Sequence, residues 1–182
     1  MGKLIVISGP SGVGKGTVLG IAMKKRDDLK FSVSATTRAP RPGEVDQVHY
    51  YFVSRGHFEE MIAAEQFLEY DEHDDNYYGT PLGQVLEKME TGHVLLDIEP
   101  KGAEQVKKNM PEAILIFIMP PSDEELERRL RGRGDTSEKQ IRMRMERAVW
   151  EMAQRGWYDH VLTNKDADVC ADELLKIIAD EA

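Results

Sequence analysis

A glycine-rich segment near the N-terminus constrains this chain more than any other feature. It follows an apolar run at residues 4–8 that is typical of a buried parallel strand, and it precedes a helical pattern over 15–26. Glycines at such a junction let backbone N–H groups turn towards phosphate oxygens, and the helix N-terminus adds partial positive charge. The segment therefore predicts a nucleotide phosphate loop made of Gly9, Pro10, Ser11, Gly12, Val13, Gly14, Lys15, Gly16 and Thr17.

One position of this loop differs from the usual motif, in which a hydroxyl residue directly follows the lysine. Here Gly16 follows Lys15, and the hydroxyl of Thr17 comes one step later. Mg²⁺ keeps several waters and binds readily to substrate phosphates. We therefore expect Mg²⁺ to be held mainly by the phosphate oxygens of a bound nucleotide such as ATP and by water, with Thr17 and Asp97 as indirect contacts.

Short apolar strands alternate with helical patterns along the chain, which favours an α/β fold with a parallel sheet covered by helices on both faces. Further strands are expected at 30–34, 93–99, 113–119 and 159–163, and helices at 122–131, 137–155 and 168–181. The region 35–80 lacks this regular alternation of strands and helices. Its strands are expected at 50–53 and 67–72, with a helix at 55–65 between them and another beginning at Thr80-Pro81. We interpret it as an inserted lobe.

Composition and charge exclude several classes of protein. No apolar run approaches the ~20 residues that span a bilayer. The single cysteine, Cys170, excludes an internal disulfide framework, is expected to be inert, and fits a reducing cytoplasm. A net charge of −9 argues against broad binding to nucleic acid or anionic membranes. Because basic residues nonetheless concentrate between Arg128 and Arg147, a compact anionic ligand such as a triphosphate is expected there.

Several further segments, taken in order, closely resemble the guanylate kinase family over essentially the whole chain. They are Ser34-Ala-Thr-Thr-Arg38-Ala-Pro-Arg41-Pro-Gly-Glu44, Tyr50, Glu69, Asn76-Tyr-Tyr78-Gly79-Thr80, Asp97-Ile98-Glu99 and Arg128-Arg-Leu-Arg-Gly-Arg133-Gly. The resemblance implies a P-loop three-layer α/β fold with a parallel five-stranded core sheet, an inserted mixed α/β GMP-binding lobe and a helical lid. The implied boundaries are 1–33, 81–126 and 156–182 for the core, 34–80 for the lobe and 127–155 for the lid.

The same resemblance implies transfer of the γ-phosphoryl group of ATP, the co-substrate, to GMP in purine nucleotide metabolism. Because no residue is expected to read the 2′-position of the acceptor, dGMP is expected as a second acceptor. It places the GMP phosphate against Arg38, Arg41, Tyr50 and Tyr78, and the guanine against Ser34, Glu69, Thr80 and Glu99. Physical chemistry agrees, because guanidinium forks match phosphate oxygens. A carboxylate can accept from the N1–H and 2-amino groups of guanine, which adenine lacks, so an unpaired buried carboxylate would discriminate against AMP.

For the ATP side, the resemblance adds Arg129, Arg133 and Asn164 to the phosphate loop. Lid arginines matching Arg129, Arg133 and Arg144 are expected to move over the phosphates, and Lys15, Arg38, Arg133 and Arg144 are the expected catalytic residues. No general base is required, because the second pKa of a phosphate monoester is near ~6 and the nucleophile is already largely dianionic. Catalysis then depends on neutralising repulsion, aligning the reactants and excluding water.

Some residues depart from the family pattern, and two other functions compete. Asp75, Pro100, Lys101 and Lys165 differ from the usual residues beside the expected contacts. The acid-rich run from Asp71 to Asp75 is expected to be a solvated loop or edge strand.

The alternative functions are those of a related kinase with another phosphate acceptor and of a catalytically silent, protein-binding module of the same architecture. The expected partners are small molecules, in the cytoplasm, without nucleic acid or membrane; the sequence assigns no oligomeric state.

Overall fold

A computed structural model describes residues 2–132 and 137–181. Its strands are β1 (Leu4–Ser8), β2 (Leu29–Phe31), β3 (Ala35–Thr36), β4 (Tyr51–Phe52), β5 (Phe67–His73), β6 (Asn76–Pro81), β7 (His93–Asp97), β8 (Ile114–Met119) and β9 (His160–Thr163). Its helices are α1 (Lys15–Lys25), α2 (Arg55–Ala63), α3 (Leu82–Met89), α4 (Pro100–Asn109), α5 (Asp123–Arg131), α6 (Glu138–Ala153) and α7 (Ala167–Glu181), with a 3₁₀ turn at Gln154–Trp157.

The core is a five-stranded sheet in the order β2-β7-β1-β8-β9, and every neighbouring pair in it is parallel. Successive side chains of a strand point to opposite faces, so β1 divides its apolar residues between two buried clusters. Leu4 and Val6 join one cluster, and Ile5 and Ile7 join the other. The first contains residues from α3 to α6, and the second contains residues from α1 and α7. The expected α/β fold with a parallel five-stranded core sheet is therefore confirmed.

A second sheet of four strands, in the order β4-β3-β6-β5, lies between residues 35 and 81. It is mixed, because β3 and β4 are parallel while β6 is antiparallel to both β3 and β5. Helix α2 packs on it through Phe58, whose ring stacks on Phe67 at 4.2 Å and on Tyr77 at 5.0 Å between centroids. The lobe boundaries 34–80 and the lid boundaries 127–155 remain predictions.

The structure differs from the sequence expectations in several elements. The expected strand at 30–34 is the shorter β2, which lies at the sheet edge and pairs with β7 only as far as Phe31. Strand β3 lies within a segment expected to be irregular. Strand β6 extends through the expected helix start, so Pro81 is the N-cap of α3 rather than its first helical residue. Helix α4 was not expected, because small residues such as Gly102 and Ala103 form much of its buried face.

Two observations concern the expectations from composition. Cys170 is buried on α7, and burial raises the pKa of its thiol to about 11, as suits an unreactive side chain. Among the described residues, no helix combines the length and apolar character needed to cross a membrane.

Candidate functional site

The phosphate loop joins the end of β1 to the start of α1, and its glycines are required by geometry at two positions. A Cβ atom on Gly9 would lie 2.4 Å from the carbonyl oxygen of Ile118, too close for any side chain. Gly14 is the N-cap of α1 with φ of 96°, in the left-handed region that favours glycine. The N-terminus of α1 is therefore capped by a residue without a side chain, which leaves room for an anion at the first-turn N–H groups.

Lys15 lies over this loop. Its Nζ donates to the carbonyl oxygen of Gly9 at 2.6 Å and lies 3.8 Å from Oδ1 of Asp97, at the end of β7. Burial raises the pKa of Asp97, and the charge of Lys15 partly opposes this rise. Asp97, Thr17 and the loop line a cavity of about 270 Å³.

Two residues expected on the ATP side donate hydrogen bonds to the backbone of the loop. Nδ2 of Asn164 donates to the carbonyl oxygen of Val13 at 2.8 Å, and Nη1 of Arg129 donates to the same oxygen at 3.0 Å. Arg129 is fixed in turn by Glu125, whose Oε1 accepts from its Nε at 2.8 Å. Oδ1 of Asn164 is buried and has no hydrogen-bond partner among the described residues.

A second cavity, of about 410 Å³, lies between the two sheets. It brings together seven of the eight residues expected to contact GMP: Ser34, Arg38, Arg41, Tyr50, Glu69, Tyr78 and Glu99. The eighth, Thr80, is fully buried behind Glu69. Asp97 lines this cavity as well as the one at the phosphate loop, so the two spaces share one wall.

Glu69 is the most buried ionisable group in the second cavity, with a relative exposure of 7%. Its Oε1 accepts a hydrogen bond of 2.6 Å from Oγ1 of Thr80. A Cβ atom on Gly102 would lie 2.9 Å from its Oε2, so the glycine makes room for the carboxylate. Burial raises the pKa of Glu69 to about 7, the bond from Thr80 opposes the rise, and the nearby charge of Asp71 adds to it.

The arginine and tyrosine group lies at the other end of this cavity. Nη2 of Arg38 donates to both carboxylate oxygens of Glu44, at 2.8 and 3.0 Å, which raises the pKa of Arg38. The guanidinium lies 5.5 Å from the ring centroid of Tyr50, and Tyr50 meets Tyr78 edge-on at 6.2 Å. Glu44 also accepts from the backbone N–H of Arg41 at 2.7 Å, so one carboxylate organises both arginine positions.

Sequence reasoning assigned no role to several residues that line this cavity: Glu44, Asp71, His73, Asp74 and Lys101. A signal existed for two of them, because Asp71 and His73 follow Glu69 at intervals of two and so share its face of β5. The ring of His73 stacks on that of Tyr78 with centroids 4.2 Å apart and planes 6° apart. No pattern in the sequence marks Lys101.

The expected lid arginines are less completely described. Arg133 lies outside the described residues. Arg144 is half-buried on α6. In the described part of the chain, it lines neither the cavity at the phosphate loop nor the second cavity. Its neighbour Arg147, which the sequence placed in the basic segment without a role of its own, donates from Nη2 to Oε1 of Glu99. The structure thus connects α6 to the second cavity through a different arginine.

Comparison with known proteins identifies the family of this chain. The guanylate kinase family model matches residues 1–181. A guanylate kinase of Prochlorococcus marinus subsp. pastoris is 51% identical over 97% of this chain and 96% of its own, and one of Clostridioides difficile is 48% identical over 99% and 88%. The crystal structure of guanylate kinase from Anaplasma phagocytophilum superposes with a TM-score of 0.77 at 33% identity, covering 99% of this chain and 86% of that one. This chain belongs to the guanylate kinase family.

Proposed function

We propose that this chain transfers the γ-phosphoryl group of ATP to GMP, and to dGMP, giving ADP and GDP. The observation that carries the proposal is the wall shared by the two cavities. Asp97 lines both the space at the phosphate loop and the space that holds the guanine-recognising residues. A donor phosphate held by the loop and an acceptor phosphate held by Arg38 and Arg41 would therefore meet beside the same residue.

The acceptor side recognises guanosine monophosphate by two groups of side chains. Arg38, Arg41, Tyr50 and Tyr78 bind the phosphate, and Ser34, Glu69, Thr80 and Glu99 bind the base. Nη2 of Arg38 donates to Glu44, and a bound phosphate would share this guanidinium with that carboxylate. The ionised Glu69 accepts from the N1–H and 2-amino groups of guanine. Adenine would leave it unpaired, which is strongly unfavourable for a buried carboxylate.

In the reaction, an oxygen of the acceptor phosphate attacks the γ-phosphorus of ATP while the bond from that phosphorus to the β,γ-bridging oxygen breaks. Lys15, with Arg129, Arg133 and Arg144 of the lid, neutralises the donor oxygens, and Arg38 neutralises the acceptor. Closure of the lid and lobe excludes water, which would otherwise accept the phosphoryl group. No protein base is needed, because the acceptor phosphate is already ionised.

Magnesium enters with ATP as part of the substrate in this proposal. Among residues 2–132 and 137–181, no three histidine, cysteine or acidic side chains form a group suited to a metal ion. Thr17 and Asp97 both line the cavity at the phosphate loop, and their oxygens suit water-mediated contact with a hard cation. The ion supplies charge neutralisation at the phosphates. We place the activity in the cytoplasm, in purine nucleotide metabolism, consistent with one buried cysteine and small-molecule partners.

The proposal is tested by ADP release with ATP, Mg²⁺ and each of GMP, dGMP, IMP, AMP, CMP and UMP. GMP and dGMP should react, and kcat/KM for AMP should be lower by about 100-fold or more, as expected when a buried polar group loses its partner. Comparable rates with GMP and AMP would contradict the role of Glu69 and Glu99 and favour a kinase of broader acceptor range.

Lys15→Ala separates an enzyme from a silent binding module. It should lower kcat with GMP by about 100-fold or more, because the lysine is proposed to stabilise the charge that develops on the transferred group. Lys24→Ala, an exposed lysine at the far end of the same helix, is the matched control and should leave the rate unchanged. If the wild-type protein released no ADP with GMP, the binding-module interpretation would replace this one.

A further inference from the structure

Glu99 is the N-cap residue of α4, yet its side chain makes no capping hydrogen bond to that helix. Its Oε1 instead accepts a hydrogen bond from Nη2 of Arg147, a residue 48 positions away on α6. The side chain is therefore directed away from its own helix and towards α6. Its other oxygen, Oε2, has no hydrogen-bond partner in the part of the chain that the structure describes, and Glu99 lines the proposed GMP cavity.

Arg147 is itself held from a second direction. Its Nε donates to Oε1 of Glu151, one helical turn later, at 3.0 Å. The Glu151 side chain is only 7% exposed, and the neighbouring Ala148 and Met152 belong to the hydrophobic core. This part of α6 is thus anchored to the core sheet, and the guanidinium spans from a fixed carboxylate to Glu99.

The contact between Arg147 and Glu99 is not a strong source of stability. The two side chains are 58% and 52% exposed, and ion pairs at such exposure contribute little to folding. What the contact does supply is orientation. A glutamate free to rotate would lose side-chain entropy on binding a ligand, whereas one already held by a neighbour loses less.

We propose that Arg147 is a specificity-determining positioning residue, which fixes Glu99 through Oε1 so that Oε2 is presented to the guanine of the acceptor. The inference rests on the proposed function and deepens it by naming a residue outside the expected contact set. It implies that Arg147 acts on binding of the acceptor only through Glu99. A residue that merely stabilised the closed lid would act on phosphoryl transfer with or without Glu99.

The test is a double-mutant cycle on the full chain, with kcat and both KM values measured for wild type, Arg147→Ala, Glu99→Gln and the double variant. Arg147→Ala should raise KM for GMP about tenfold, equivalent to about 1.4 kcal/mol, while kcat and KM for ATP stay within about twofold. In the Glu99→Gln background the same substitution should change KM for GMP by less than about twofold, because the interaction it supports is already lost.

Two controls keep this result interpretable. Arg142→Ala removes one positive charge from the exposed face of the same helix and should leave KM for GMP unchanged. Arg147→Ala also leaves the buried Glu151 without its partner, which could unfold the protein. The comparison is therefore repeated in a Glu151→Gln background, where position 151 carries no charge and the effect of Arg147→Ala on KM for GMP should persist.

The inference is overturned if Arg147→Ala lowers kcat at unchanged KM for GMP, or if its effect on KM is equally large without Glu99. Either result would make Arg147 a lid residue and would leave the proposed function standing. Failure of wild-type protein to phosphorylate GMP would instead remove the proposed function itself, so the two failures are distinguishable.

Discussion

At the scale of single residues, Glu69 shows how the fold sets the chemistry of one carboxylate. The side chain is nearly buried, with the Thr80 hydroxyl on one oxygen and the space left by Gly102 at the other. Burial favours the protonated form and raises the pKa to about 7. A protonated carboxyl is a poorer acceptor for the two guanine donors, so binding of GMP should weaken as the pH falls through about 7.

Thr80→Val tests this dependence. The hydroxyl bond lowers the pKa of Glu69, so its removal should raise that pKa further and shift the acid limb of kcat/KM for GMP to higher pH. A bond of about 1 kcal/mol corresponds to roughly 0.7 pH unit. The profile of kcat/KM reports the free enzyme, and titration of the GMP phosphate affects both proteins equally. Superimposable profiles would show that this bond does not tune Glu69.

The cavity was predictable from sequence where residues follow local patterns. Arg38, Arg41, Glu69 and Tyr78 lie in motifs that resemble a known family, and all four line the same cavity. The contact between Arg147 and Glu99 was not predictable. It joins the N-cap residue of α4 to a residue of α6 that lies 48 positions later, and neither residue type is unusual at such an exposed position. Such a pair is determined by how α6 packs on the core sheet, which no local pattern encodes.

At the scale of elements, strands and helices were predicted from the sequence most accurately where their local hydrophobic pattern is strongest. The central strands β1 and β8 are continuous apolar runs, and the structure has them within one residue of the expected bounds. Strand β6 contains polar and aromatic residues and is held by pairing with β5, so its sequence alone gave no alternation to detect. Helix α4 buries small side chains, which contribute little to an apolar periodicity.

Helix α1 carries a substitution site that separates helix stability from phosphate binding. Gly20 lies at an exposed position in its middle, and an added Cβ atom would have open space around it. Alanine is favoured over glycine inside helices by up to about 1 kcal/mol. Gly20→Ala should therefore raise the melting temperature by roughly 2–4 °C, as expected for a chain of this size, with KM for ATP unchanged.

Gly9 lies in the loop between β1 and α1, and there Gly9→Ala should destabilise the protein rather than stabilise it. Its Cβ atom would collide with the carbonyl oxygen of Ile118, so the loop must shift to accommodate it. This variant should lose thermal stability and bind ATP more weakly. A loss of stability in Gly20→Ala, measured by thermal unfolding, would mean that α1 is not a regular helix at that point.

At the scale of the whole molecule, each of the two proposed anionic substrates is held mainly by a different sheet. The phosphate loop belongs to the five-stranded sheet, and most of the proposed acceptor contacts belong to the four-stranded sheet and the loops around it. Several carboxylates line the acceptor cavity at this junction, among them Glu69, Asp71 and Glu99. Asp71 and Glu99 both raise the pKa of Glu69 beyond the effect of burial, so the unliganded protein holds a carboxylate that the fold disfavours in its ionised form.

Because the fold disfavours the ionised form of Glu69, the free energy of unfolding of the unliganded protein should depend on pH. The pKa of Glu69 is about 7 in the folded protein, against an ordinary value of 4.5. Between these values the folded state binds more protons than the unfolded state, so stability falls as pH rises through this window. Above pH 7 the ionised Glu69 lowers the free energy of unfolding by its full amount, on the order of 2 kcal/mol after allowance for relaxation around the charge.

Glu69→Gln removes this titration and should stabilise the unliganded protein at pH 8 relative to wild type. In a chain of this size about 2 kcal/mol corresponds to roughly 4–8 °C in melting temperature. The advantage should shrink towards pH 5, and comparing the two pH values cancels any pH-independent cost of burying the amide. The same variant should bind GMP weakly, because an amide presents a donor where guanine also donates. A melting-temperature difference that did not change between pH 5 and pH 8 would show that Glu69 is not held against its ionised form.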